Sequence, residues 1–192
     1  MTRRIFGTLA TLVVAALFVA VAASILHQAT SELALPLSDT RIIREQAAKK
    51  RLDPALIAAV IYAETKFDPR PSSAGAEGLM QILPSTAYYL AHLSGGVSFT
   101  ASDLANPSVN VAYGSYYLRY LLDQFDGNEM LAVAAYNGGQ TNVESWIAHA
   151  NAAGRQLQVT EIPFAQTRDY VQRVLSAQRA YRATYARQLG IE

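Results

Sequence analysis

"DPALIAAVIYAETKFDP", residues 53–69, is almost wholly apolar over two helical turns and then places a glutamate, Glu64, where the apolar pattern should continue. Asp53 as N-cap with Pro54 at the first helical position is a strong start signal for a helix. At 100° per residue, Ile57, Ile61 and Glu64 fall within about 60° of one another, with Val60 alongside. Glu64 therefore continues the core-facing stripe at the C-terminal end of the helix. Burial and the negative end of the helix dipole both disfavour its ionised form. A carboxylic acid held protonated near neutral pH is what a general acid requires. The plainer alternative is a frayed helix end where Glu64 reaches water or pairs with an arginine.

Outward from this stretch the apolar period stays helical, and no segment alternates as a strand would. Ser38 or Asp39 caps a first helix that ends near Lys50. "PSTAYYLAHL" opens a helix that stops at Gly95-Gly96, and a loop follows to Asn106-Pro107. There a long helix begins, ending near Asp126-Gly127. Asn128 caps "EMLAVAAY", which breaks at Asn137-Gly138-Gly139. Thr141 and Glu144 have capping-box spacing before the next helix. A last helix, from about Thr167 to Leu189, repeats Tyr170, Val174, Tyr181 and Tyr185 on a broad face. The pattern predicts an all-α fold with one helical domain over residues 38–192.

The chain has 192 residues, enough after the first thirty for one domain with a sizeable core. A net charge of +1 gives no field that points to nucleic acid. With no cysteine, disulfides, thiolate metal sites and cysteine nucleophiles are excluded. His27, His92 and His149 lack ligand-like spacing, so no metal and no cofactor is expected. Eleven tyrosines against one tryptophan suit sugar contacts, although ordinary packing accounts for most of them. Arg3 and Arg4 precede an uncharged run from Ile5 to Leu26, roughly 33 Å as a helix and so about the thickness of a bilayer core. Residues 1–27 are therefore expected to be a membrane anchor through residues 5–26, with 28–37 a linker and the basic end cytoplasmic. A cleavable signal is the rival, because "AVAAS" offers small residues near an A-x-A site. Either reading puts the domain on the periplasmic or cell-wall side.

The other acids have plainer roles. Asp53, Asp39 and Glu144 are caps, and Asp103, Asp123, Asp126 and Glu129 lie at helix or loop edges. Asp68 and Glu77 sit beside Pro or Gly in a loop. No second acid stands out to complete a two-carboxylate glycosidase. "SSAGAEGLMQ" runs small residues and two glycines into Met80 and Gln81, which allows close approach of backbone to a ligand. "AAYNGG" ends a helix with the polar tips of Tyr136 and Asn137. Neither resembles a phosphate loop.

Together these stretches resemble the lytic transglycosylases with the soluble-lytic-transglycosylase (SLT) domain, relatives of goose-type lysozyme, over roughly Leu52 to Leu175. "IAAVIYAETKFDP" is similar to the family's catalytic-glutamate segment and "SSAGAEGLMQILPSTA" to its G-L-M-Q motif. "NPSVNVAYGSYYLRYLL", "AVAAYNGG" and "IPFAQTRDYVQRVL" resemble three further family motifs in the same order. The resemblance implies a lysozyme-like fold and cleavage of the β-1,4 bond between N-acetylmuramic acid and N-acetylglucosamine in peptidoglycan glycan strands. The product it implies is a 1,6-anhydromuramoyl end, with Glu64 as the single general acid and base and the substrate's 2-acetamido group stabilising the intermediate. Carried over residue by residue, Ser72 or Ser73, Met80, Gln81, Tyr136 and Asn137 line the glycan cleft, joined by Tyr117, Gln166 and Tyr170.

Three positions depart from the family pattern. Thr65 follows the glutamate where serine is common, the loop after Pro69 is one residue short, and Gln166 replaces the usual glutamate before Thr167. Two other readings stand beside the first. One is a hydrolytic muramidase, with Glu77 or Asp68 holding a water. The other is a glycan-binding or scaffolding module of a cell-wall-spanning machine whose components the sequence leaves unidentified.

Overall fold

The computed structural model describes residues 35–95 and 100–191. Among the described residues seven α-helices span Thr40–Lys50 (α1), Pro54–Thr65 (α2), Pro84–Ser94 (α3), Pro107–Gln124 (α4), Glu129–Gly138 (α5), Gln140–Ala152 (α6) and Ala165–Leu189 (α7). Short 3-10 turns occupy Ala101–Ala105 and Val159–Glu161. Among the described residues there is no strand, only an antiparallel bridge between Glu77 and Ile82. None of these helices is long and apolar enough to cross a membrane. The expected membrane segment, residues 5–26, lies outside the described residues, as does most of the 28–37 linker.

The fold is built around α2. Every residue from Ala55 to Ile61 is buried, so this helix is enclosed on all sides. That corrects the stripe argument: Ile57, Val60 and Ile61 do not mark one core-facing side, and Glu64 is set apart by lying where the enclosed helix ends. The Asp53 carboxylate accepts from Ala55 N at 2.9 Å, with Pro54 opening the helix. Its other oxygen accepts from Gln178 Nε2 (2.7 Å) and Arg182 Nε (2.9 Å) on α7. Gln178 also donates to Glu129 at the start of α5, at 3.1 Å, so the beginnings of two helices are tied to one residue of a third.

α7 is the long brace that packs most extensively on α2. Tyr170, Val174 and Tyr181 are buried on its inner face, and Tyr185 is half-buried where the helix kinks. The ring of Tyr181 meets Tyr62 and Phe67 edge-on, both at 6.3 Å between centroids. Asn106 and Asn128 cap α4 and α5 as their sequence context predicts.

Four local expectations are corrected. Asp39 holds the N-cap position of α1 with φ 53°, yet its side chain caps nothing. The loop expected before Asn106 contains the 3-10 turn Ala101–Ala105, closed by a Thr100–Asp103 capping box. The Thr141–Glu144 box does not form, because Gly139, at φ 86°, starts α6 two residues before Thr141, and Glu144 accepts from Gln140 instead. α7 begins at Ala165 rather than Thr167.

Candidate active site

Glu64 occupies the last turn of α2, and Lys66 and Phe67 follow it with φ 52° and 64°. Two successive left-handed residues without glycine turn the chain sharply away from the helix axis. The carboxylate is half-buried, and its Oε1 accepts a hydrogen bond of 2.7 Å from the Tyr170 hydroxyl on α7. Burial pushes the Glu64 carboxyl from 4.5 up to about 7, against the Tyr170 hydrogen bond and the charge of Arg173, which both lower it. Of the plainer alternative, partial exposure to water holds and pairing with an arginine does not: among the described residues Glu64 forms no ion pair, and its hydrogen-bond partner is the Tyr170 hydroxyl.

The segment Glu77–Ile82 is held next to α2 by three different helices. Its ends pair through Glu77 N to Ile82 O and Ile82 N to Glu77 O, both 3.0 Å. From α2, the Thr65 hydroxyl donates to Leu79 O at 2.9 Å. From α4, buried Asn110 accepts from Met80 N at 2.8 Å and donates to Glu77 O (2.8 Å) and Leu104 O (3.0 Å). From α5, the Tyr136 hydroxyl donates to Met80 O at 2.9 Å.

Two glycines are needed for this approach. A Cβ on Gly114 would stand 2.4 Å from Met80 Sδ, and one on Gly78 would stand 2.2 Å from Asn110 Nδ2. Burial raises the phenols of Tyr136 and Tyr170 well above 10, and the nearby Glu64 charge adds to it in both. Both therefore remain neutral donors.

Of the expected cleft residues, Tyr136 and Tyr170 stand within electrostatic reach of Glu64. Tyr117 packs on Tyr136 at 5.2 Å between ring centroids. Asn137 accepts from the Thr167 hydroxyl at 2.9 Å, fixing the end of α5 to the start of α7. Met80 is fully buried against Gly114, so its side chain packs rather than faces solvent. Ser72 accepts from Ala76 N at 2.9 Å and holds the glycine-rich turn, whereas Ser73 is exposed. Gln81, at φ 48°, donates to Arg70 O and Gly78 O, both 3.0 Å. Gln166 is exposed in the first turn of α7 and makes no side-chain hydrogen bond among the described residues. Asp68 is exposed and bound to Arg70 at 2.6 Å, and Glu77 takes part chiefly through its backbone.

Asn110 and Gly114 lie within the quoted "NPSVNVAYGSYYLRYLL" stretch, but the sequence reading gave them no part in the site. Their i, i+4 spacing on α4 puts an amide and a gap on one helix face, a signal available in "NVAYG". Among the described residues no group of three His, Asp or Glu could hold a metal ion.

Helices enclosing a central helix that ends in a half-buried carboxyl give the described residues an all-helical, lysozyme-like architecture. The family model for the transglycosylase SLT domain matches residues 41–159, and that for the soluble lytic transglycosylase helical domain matches 161–192. The chain belongs to the transglycosylase SLT domain family. It is similar to the soluble lytic murein transglycosylase of Escherichia coli, 33% identical over 152 residues that cover 77% of this chain and 23% of that protein. It is also similar to membrane-bound lytic murein transglycosylase C of Salmonella typhi, 32% identical over 163 residues, covering 73% of this chain and 45% of that protein. Among solved structures, the 70 kDa soluble lytic transglycosylase of Escherichia coli superposes with a TM-score of 0.73 at 32% identity, over 78% of this chain and 25% of that one. The chain thus spans about a quarter of its soluble relatives and less than half of the membrane-bound one.

Proposed function

We propose that this protein is a peptidoglycan lytic transglycosylase in which Glu64 serves as both acid and base. The observation that carries the reading is a lone half-buried carboxyl, raised to about 7, beside a neutral tyrosine donor. A group titrating near neutrality can give a proton and take one back in the same cycle. Protonated Glu64 donates to the glycosidic oxygen between N-acetylmuramic acid and N-acetylglucosamine, and the C1–O bond breaks. The muramoyl 2-acetamido oxygen shares the positive charge at C1, the part a second carboxylate plays in a two-acid glycosidase. Glu64, now ionised and held by the Tyr170 hydroxyl, takes the proton of the 6-hydroxyl as O6 bonds to C1. The 1,6-anhydro ring closes and Glu64 is protonated again, with no water consumed. Names of relatives that are murein transglycosylases support the substrate class.

The reading places the domain outside the cytoplasm, held by the apolar run of residues 5–26 or released if that run is cleaved. The hydrolytic alternative needs Glu77 or Asp68 to hold a water; Asp68 is engaged by Arg70, and Glu77 joins the site through its backbone. Mass spectrometry of a peptidoglycan digest by the full-length chain tests the reaction. Muropeptides ending in non-reducible anhydro sugars, one water lighter than hydrolysis products, are expected. Reducing ends would make the enzyme a hydrolase.

A further inference from the structure

A cleft of about 600 Å3 that shares no residue with the Glu64 site lies between the end of α1 and the second half of α4, lined by Lys49, Lys50, Arg51, Tyr116, Arg119 and Asp123. Four cations line it against one carboxylate, in a chain whose 16 basic and 15 acidic side chains nearly cancel. Asp123 meets Arg119 through Nη2, while Arg119 Nε is buried with no hydrogen-bond partner among the described residues. Lys50 is half-buried and donates to the neutral amide of Gln46. No ion pair among the described residues involves Lys49, Lys50 or Arg51.

The end of α1 does not account for this charge. Arg51, as C-cap, donates its backbone N–H to Ala47 O and Ala48 O, so the last carbonyls already have a partner. The helix dipole there is worth roughly half a negative charge, and with Asp123 it offsets about one and a half of the four cations. Burial and the Lys49 charge together hold the Lys50 ammonium below its ordinary range. A bound anion supplies the counter-charge that both effects lack. Cationic heads from two helices outnumber the two oxygens of a carboxylate, whereas the oxygens of a phosphate can accept from several at once.

The position of α1 in the chain selects the source of the phosphate. Among the described residues α1 is the first helix after residues 28–37, which follow the apolar run of residues 5–26. With that run in a bilayer, ten linker residues reach at most about 35 Å, and the cationic end of α1 lies one helix length further, about 17 Å. We propose that the cleft binds the phosphate of an anionic lipid headgroup, such as that of phosphatidylglycerol, and so docks the α1–α4 side of the domain on the bilayer. The proposal rests on the anchored form of the proposed reading and not on the reaction at Glu64.

The test places the full chain in nanodiscs of phosphatidylcholine, alone or with phosphatidylglycerol as about one-third of the lipid, and follows amide hydrogen exchange over residues 44–52 and 112–124. Exchange there is expected to be about tenfold slower in the anionic discs, the factor for a site about nine-tenths filled. Lys50→Gln, and the exposed Lys49→Gln should the first not fold, are expected to weaken binding about fivefold and leave about threefold slowing. Arg44→Gln makes the same charge change on the same helix but outside the cleft, and should keep the full slowing. Equal exchange in the two discs, or equal losses in Arg44→Gln and Lys50→Gln, overturns the site. Slowing by inorganic phosphate in neutral discs, with none from phosphatidylglycerol, overturns the lipid source. Should the chain not stay with the discs, the anchored reading fails by itself, and the cleft is judged on cosedimentation with vesicles of the same two compositions. Retention by the anionic vesicles that Lys50→Gln weakens about fivefold sustains the proposal, and equal retention by both overturns it.

Discussion

Glu64 is held between opposing influences, and its surroundings set a measurable dependence on pH. Burial favours the neutral acid, while Tyr170 and Arg173 favour the carboxylate. The folded-state value, about 7, lies above the ordinary 4.5, so the folded chain binds this proton more tightly than the unfolded chain does. The stability linked to it is complete below about 4.5 and is lost as pH rises through about 7. The loss is on the order of 3 kcal/mol, at ~1.4 kcal/mol per unit. Glu64→Gln carries no such proton. Thermal melts should therefore show the variant overtaking the wild type as pH rises from 5 to about 8; melting temperatures that keep a constant gap across that range would contradict the raised value. This residue was legible in the sequence as an acid continuing an apolar helix. Its hydrogen-bond partner was not, since Tyr170 lies 106 residues away and reaches Glu64 only through the packing of α7 on α2.

At the scale of elements, the site depends on how α4 grips the Glu77–Ile82 segment. The buried Asn110 side chain bonds Met80 N and Glu77 O of that segment and Leu104 O beside it, and Gly114 leaves the room that Met80 fills. Asn110→Ala is expected to cost about 2–4 kcal/mol of stability, because backbone groups of Met80, Glu77 and Leu104 lose their partner away from water. Gly114→Ala should cost about 1–3 kcal/mol by overpacking. Chemical denaturation reads both, and a loss under about 0.5 kcal/mol in each would show that the segment holds its shape without α4. Asp53-Pro54, Asn106-Pro107 and Asn128 were legible as helix starts because capping is local chemistry. Thr141–Glu144 misled for the same reason: the spacing fits, but Gly139 turns the backbone earlier and draws Thr141 into the helix. The Thr100–Asp103 box was equally present in the sequence and went unread within an apparent loop.

For the whole molecule, helical periodicity throughout was enough to foresee an all-α domain, and ordered motifs pointed to its family. Periodicity could not say which helix lies at the centre. Enclosure of α2 follows from α7 and α1 packing against it, a consequence of tertiary packing. That enclosure desolvates the end of α2 and, among the described residues, leaves Glu64 as the one carboxyl raised toward neutrality, the residue to which the proposed chemistry is assigned. Peptidoglycan turnover by Glu64→Gln, beside a wild type prepared identically and with melts confirming that both are folded, tests that assignment most directly. Anhydromuropeptide release is expected to fall at least about a thousandfold, within the range for loss of a general acid–base. A folded Glu64→Gln protein that releases product within tenfold of the wild type would contradict it.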